Sequence, residues 1–202
     1  MPGQPDTEYL GVEEYLAGEQ HSEIRHEYIN GEVHAMGAAS AAHNLIALNV
    51  ATTLRAAARG TSCQVFIADM KVYLKIAGED IFYYPDVVVS CDPDDREPFY
   101  RSRPCLVVEV LSPATARIDR REKFLAYTSM DSLREYMLVA QDRQRVTLFR
   151  RANDWLPEVF GPGDTLSLEC LDCTLSMAQI YEEVDIPAAH ETATGSPGQD
   201  SI

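Results

Sequence analysis

The last 51 residues of this 202-residue chain contain ten carboxylates and neither lysine nor arginine. These residues therefore hold no basic segment, and the basic charge lies elsewhere in the chain. No apolar run approaches the ~18 residues of a membrane span, and the opening Met1-Pro2-Gly3-Gln4-Pro5 lacks a signal-peptide layout. The expectation is a cytoplasmic protein with no membrane partner. There is no glycine-rich phosphate loop, no internal repeat, and no serine or cysteine in an elbow or triad pattern, which sets aside P-loop enzymes, solenoids and Ser/Cys hydrolases. Cysteines are few: Cys63, Cys91, Cys105, Cys170 and Cys173. An odd, scattered set reads as reduced thiols rather than a disulfide framework. Cys170 and Cys173 have the spacing of a metal or redox pair, but no second pair completes a zinc site.

What the chain does have is acidity. Its net charge of −15 opposes strong nonspecific binding to nucleic acid. The charge is uneven, however: residues 117–151 hold nine lysines and arginines against five acids. That segment is either a solvated basic face or a phosphate-facing patch.

The organising stretch runs from Tyr84 to Lys123. Val87–Val89 and Leu106–Leu111 are valine- and leucine-rich without period-2 alternation, as in strands buried on both faces of a sheet. Each run carries a carboxylate, Asp86 before the first and Glu109 within the second. A carboxylate in such a place costs several kcal/mol or more unless it is paired, protonated or bound to a cation. The residues alone leave two readings open: a strand cap with a buried ion pair, or a cation site with a basic group, Lys123, on the next helix.

Around this stretch, Asn30-Gly31 predicts a hairpin. Ser40–Arg59 reads as a helix with Ser40 as N-cap, Gly60 beyond its end and Leu45, Ile46, Leu48, Val50 and Leu54 as its apolar face. His43 lies in its first turn, where the helix dipole favours a nearby anion or a neutral imidazole; a surface or capping role suits it as well. Residues 62–76 read as strand with a bulge near Ala68-Asp69, and 92–103 as a solvated loop. Thr115–Met130 is predicted helical, with Phe124 and Leu125 inward and Asp119, Lys123 and Tyr127 on one face. Strand 135–139 follows, parallel to 106–111, then a hairpin to 145–150 and a short helix capped by Ser176. The expected division is a single domain over 1–185 and a disordered tail over 186–202.

Pro85-Asp86, Glu109-Val110-Leu111-Ser112-Pro113, Asp119, Lys123, Tyr127 and the strand Arg134–Val139 together resemble the Uma2 family, within the PD-(D/E)XK restriction-endonuclease-like superfamily. The likeness extends from about residue 10 to about residue 184. It implies an α/β fold, a restriction endonuclease-like mixed central sheet flanked by helices. It further implies a metal-dependent nuclease hydrolysing phosphodiester bonds of nucleic acid, with DNA the expected partner. Asp86, Glu109 and the Val110 carbonyl would be ligands of Mg²⁺ or Mn²⁺, and Lys123 the catalytic base or charge stabiliser. A glutamate after the hairpin glycine and a histidine in the first long helix recur in the family, which makes Glu32 and His43 further catalytic candidates. The chain departs from the superfamily signature in one respect. The signature lysine falls two residues after the acid, where this chain has Leu111, and the resemblance places it at Lys123. The rival reading is a non-catalytic interaction scaffold that keeps the nuclease-like fold, a homo-oligomer being one form of it.

Overall fold

The computed structural model describes residues 9–112 and 119–186, the side chains of residues 119 and 120 excepted. The expected tail after residue 186 and the first residues of the predicted 115–130 helix lie outside the described residues.

Two sheets form the body of the molecule. The main sheet has the strand order β11-β10-β9-β8-β6-β3. At its centre β8 (Leu106–Leu111) pairs antiparallel with β6 (Val87–Ser90) and parallel with β9 (Glu135–Ala140). Every residue of these three strands is buried, so the unbroken apolar runs are the two-sided burial expected of central strands. Outside them lie β3 (Gln64–Ile67), β10 (Val146–Arg150) and β11 (Pro157–Phe160). The second sheet, β2-β1-β5-β4-β7, comprises β1 (His26–Ile29), β2 (Glu32–Ala35), β4 (Lys71–Ile76), β5 (Glu79–Tyr83) and β7 (Tyr100–Arg101). A small hairpin, β12 (Thr165–Leu168) with β13 (Cys173–Ser176), stands apart.

The faces of the main sheet have different cover. Val87, Val89, Leu106, Val108, Val110, Met137 and Val139 pack against α2 (Ala41–Ala57), the β12–β13 hairpin and α4 (Met177–Ile180). Val88, Val107, Leu111, Tyr136 and Leu138 pack against the second sheet and α3 (Phe124–Thr128). A third cluster, Tyr15, Tyr28 and Phe82, seats α1 (Val12–Glu19) on the second sheet. The family's mixed sheet flanked by helices is thus present, with a second layer that the apolar pattern did not announce.

The second layer arises from one ribbon. β3 pairs with β6 in the main sheet, while the segments between them, β4 and β5, pair with each other in the second sheet. Residues 64–90 therefore form a single long hairpin bent across both layers. The bend lies at Ala68, in the left-handed region with φ 52°, and at Tyr84-Pro85-Asp86; Ala68 N donates to Asp86 O at 3.1 Å across it. The expected bulge is present, residues 68–71 opposing residues 84–86, and it is also the point where the chain changes sheets.

Other expectations need correction. Leu48 and Leu125 are 52% and 63% exposed, while Ala51 and Ala126 occupy the inward places, because apolar residues on adjacent positions of a helix cannot all face one side. The segment 92–103 is not simply solvated. Asp95, 4% exposed, accepts from Ser90 Oγ, Ser102 N and Oγ, and Arg103 N, closing the loop around itself. Cysteine pairing also departs from the expectation: Cys63–Cys91 and Cys105–Cys170 are disulfide-bonded, and Cys173 is free. Separations of 28 and 65 residues carry no proximity signal until β3, β6 and β8 lie side by side. Among the described residues, no helix is long and apolar enough to cross a membrane.

Candidate active site

Strand alternation decides where Glu109 points. Val107 and Leu111, two residues either side, belong to the face covered by the second sheet and α3, so Glu109 enters that inter-layer space and is 4% exposed. Lys123 reaches it from the chain's return to β9. The backbone over Asp119–Lys123 is a π-helical turn leading into α3. Such local widening of a helix is rare and recurs at functional sites. Lys123 Nζ lies 3.2 Å from Glu109 Oε1 and 2.8 Å from Glu27 Oε1, 5% exposed. The same Glu109 oxygen accepts from the Tyr127 hydroxyl at 3.3 Å, one turn further along.

The second layer supplies the other wall. Tyr28 is fully buried towards α1, so its strand neighbours Glu27 and Ile29 face the opposite way, towards the main sheet. Glu27 Oε1 also accepts from Tyr84 N at 3.3 Å, and the Tyr83 ring lies 5.3 Å from Lys123 Nζ. Burial first, then the Glu27 carboxylate, raises the Tyr83 phenol to about 12. Tyr127 is likewise held well above the usual phenol range, by burial and then by the Glu109 charge. Both phenols therefore stay neutral donors at any ordinary pH.

Asp86 sits at the ribbon's bend, one rung beyond the Val87–Val108 pair and so beside Glu109 in the β6–β8 ladder. Its Oδ2 accepts from Val110 N at 2.6 Å, and its Oδ1 lies 2.7 Å from His43 Nε2. His43 is held in the first turn of α2, where Ser40 Oγ accepts from His43 N at 3.1 Å. Ser40 Oγ in turn donates to Gln141 Oε1 at 2.5 Å. Asp86 and His43 are 18% and 15% exposed at their side chains, the more accessible part of the site.

The structure thus brings Asp86 to His43, and Glu109 to Lys123 and Tyr127, with Asp86 opposite Glu109 at the end of the β6–β8 ladder. Two hard carboxylates so placed are the donor type that Mg²⁺ or Mn²⁺ takes. Glu32 lies elsewhere, on β2, 61% exposed at its side chain and 3.8 Å from His34. From the same hairpin it is Glu27 that meets Lys123. Sequence reasoning passed over Glu27, although its alternation with the apolar Tyr28 assigns it to the Ile29 face. It also passed over a further buried network behind Tyr84, whose hydroxyl donates to Glu19 Oε2 at 2.8 Å and accepts from Lys71 Nζ at 3.0 Å. Burial, ahead of every charge nearby, lowers the Lys71 ammonium's pKa.

Known proteins agree with this architecture. Residues 12–179 match the Uma2 family, described as "Putative restriction endonuclease". Two Synechocystis proteins are similar in sequence. "Uncharacterized protein slr1290" is 34% identical over 175 residues, covering 85% of this chain and 91% of that protein. "Uncharacterized protein sll1609" is 32% identical over 155 residues, covering 74% and 86%. A crystal structure from Anabaena variabilis, described as a "putative nuclease belonging to DUF820", superimposes with a TM-score of 0.66 at 17% identity, over 85% of this chain and 97% of that one. At that identity the likeness speaks to fold. With the family matched across most of its length and the same fold in a solved relative, this chain belongs to the Uma2 family of restriction-endonuclease-like proteins.

Proposed function

We propose that the protein is a divalent-metal-dependent nuclease that hydrolyses phosphodiester bonds of nucleic acid, DNA being the expected substrate. The observation that carries this reading is the buried Lys123, held between Glu109 and Glu27, with Glu109 opposite the Asp86 of the Asp86–His43 pair. Asp86, Glu109 and the Val110 carbonyl are the groups that would hold Mg²⁺ or Mn²⁺. Bound there, such an ion supplies a more acidic water and neutralises charge on the scissile phosphate.

The chain's own residues divide the remaining work. Val110 N–H fixes one Asp86 oxygen and His43 the other, so Asp86 is oriented before any ligand arrives. Lys123, an ammonium beside the acids, offsets charge that builds on phosphate oxygens. His43, part-exposed and in contact with Asp86, is placed to carry a proton to or from solvent. Tyr127 keeps Glu109 in position. Glu32, exposed on β2, would act at most at the periphery. The exposed Arg121, two residues before Lys123 on the π turn, supports a phosphate-facing use of the basic segment.

The test combines binding, stability and cleavage. Glu109→Gln should weaken Mn²⁺ binding in calorimetry, abolish Mg²⁺-dependent cleavage of DNA, and leave folding intact. Asp86→Asn should do likewise. Wild type that binds no metal, together with large destabilisation in both variants, would establish a structural ion-pair role and favour the scaffold reading.

A further inference from the structure

Away from the acidic site, four cysteines from distant parts of the chain meet at one place. Cys63 precedes β3, Cys91 follows β6, Cys105 precedes β8, and Cys170 lies in the turn of the β12–β13 hairpin. Antiparallel pairing aligns these strand ends: Gln64 faces Ser90, and Cys105 N donates to Val89 O at 2.8 Å. This is the opposite end of β6 and β8 from Asp86 and Glu109. The sulfurs of Cys91, Cys105 and Cys170 lie within 4.8 Å of one another, and Cys63 is bonded to Cys91. Among the described residues, no other group of three or more histidine, cysteine or acidic residues converges so closely.

We propose that these four sulfurs, once reduced, are a mononuclear binding site for a soft divalent cation of the zinc class. Four thiolates are the donor set that selects such an ion over Mg²⁺ or Ca²⁺. Zn–S bonds of about 2.3 Å in a tetrahedron place sulfurs about 3.8 Å apart, and Cys91 Sγ lies 3.5 Å from Cys105 Sγ without a bond between them. The site is anchored as structural metal sites are. Cys105 and Cys170 are 7% and 9% exposed, and Cys170 N donates to the buried Glu135 Oε2 at 3.0 Å. Carbonyl oxygens of Val89 and Cys170 lie 3.4 and 3.8 Å from Cys105 Sγ and Cys91 Sγ. Thiolates facing carbonyls are disfavoured without a cation, so the sulfurs are paired covalently, protonated as thiols that donate to those carbonyls, or gathered around a cation. The interconversion balances. Each disulfide takes two electrons and two protons from a dithiol, which closes to its own disulfide. The four resulting thiols then release their protons as four sulfur–metal bonds form. Neither Cys63 nor Cys173 belongs to the three-sulfur group itself; Cys63, bonded to Cys91, is the one assigned here to the fourth place.

The test uses the full chain carrying Glu109→Gln, which weakens the carboxylate site, whose oxygen ligands in any case give none of the thiolate bands. After anaerobic reduction, titration with Co²⁺ should give one equivalent of intense tetrahedral thiolate bands, bleached by one equivalent of Zn²⁺. The disulfide-intact protein should give none. Cys105→Ser and the less buried Cys63→Ser should each lower Zn²⁺ affinity by roughly a hundredfold or more, with Cys173→Ser unchanged. Absence of the bands in the reduced chain, their survival in both Cys105→Ser and Cys63→Ser, or their loss in Cys173→Ser would each overturn the proposal.

Discussion

Glu109 and Glu135 stand on neighbouring strands, β8 and β9, and both are buried to within a few per cent of complete exclusion from water. Their surroundings differ. Glu135 meets a guanidinium: Arg150 Nη1 binds its Oε1 at 2.5 Å, Arg150 Nε binds Glu158 at 3.0 Å, and Arg150 Nη2 donates to Ser167 O at 2.7 Å. Cys170 N fills its other oxygen. Arginine presents a rigid fork that carboxylates satisfy permanently, and this cluster fastens β9, β10, β11 and the β12–β13 hairpin together. Glu109 instead meets a lysine ammonium that it shares with Glu27, and a phenol. An ammonium is a point charge, here shared between acids from two layers, without the bidentate geometry of a guanidinium fork. Burial of a carboxylate is therefore no sign of function by itself; the proposed function rests on the kind of partner that Glu109 has.

The two carboxylates should differ most in what their loss costs the fold. Arg150→Met strands Glu135 and should cost about 3–5 kcal/mol in urea unfolding, whereas Glu109→Gln should change unfolding by about 1 kcal/mol or less. Equal losses at both sites would erase the distinction. Next in size, Lys123→Met should lower cleavage by roughly a hundredfold with Mn²⁺ affinity maintained or increased. Single-turnover assays and calorimetry separate the two effects, and a parallel fall in affinity would make Lys123 part of the ion's site. Alkaline unfolding gives a third contrast. The Tyr127 pKa is raised in the folded state, so the unfolded chain loses its phenol proton first, near pH 10, and stability falls as pH rises beyond that value. Tyr127→Phe should flatten this decline by up to ~1.4 kcal/mol per pH unit, read from urea midpoints between about pH 9 and 11. The smallest effect is expected at the hairpin. Glu32→Gln should alter unfolding by less than ~0.5 kcal/mol, while Glu27→Gln should lower cleavage clearly; the reverse ranking would return the hairpin's role to Glu32.

What the sequence displayed and what it hid follow from the range of the interactions. The central strands were visible because two-sided burial leaves an unbroken apolar run, as at Leu106–Leu111. Ser40 and Asn30-Gly31 were visible because caps and tight turns are local chemistry. Asp86 and Glu109 stood out as carboxylates where none belongs. The Glu27–Lys123 pair was hidden because it depends on which layer β1 joins, and one residue's choice between Glu27 and Glu32 turns on strand facing rather than composition. The sulfur cluster was hidden for the same reason, since three strand ends and a hairpin turn converge only in the finished sheet. Leu48 and Leu125 misled because apolar character is a one-way indicator of burial.

The bent ribbon of residues 64–90 has a consequence for how the molecule assembles. The pairing of β4 with β5 takes its register from one turn, Ala77-Gly78, whose residues adopt φ of 51° and 93°, and the pairing of β3 with β6 follows it with an offset of one residue at the bend. Its strands close over short loops, so the ribbon has low contact order and is suited to form early, before β8 and β9 arrive from afar. Slippage by one residue at that turn would reverse the facing of β3 to β6 in both sheets at once. Asp86 would then turn away from Val110 N–H before any partner strand had docked. Accuracy at a solvent-side turn thus precedes, and governs, the placing of an acid at the opposite end of the ribbon.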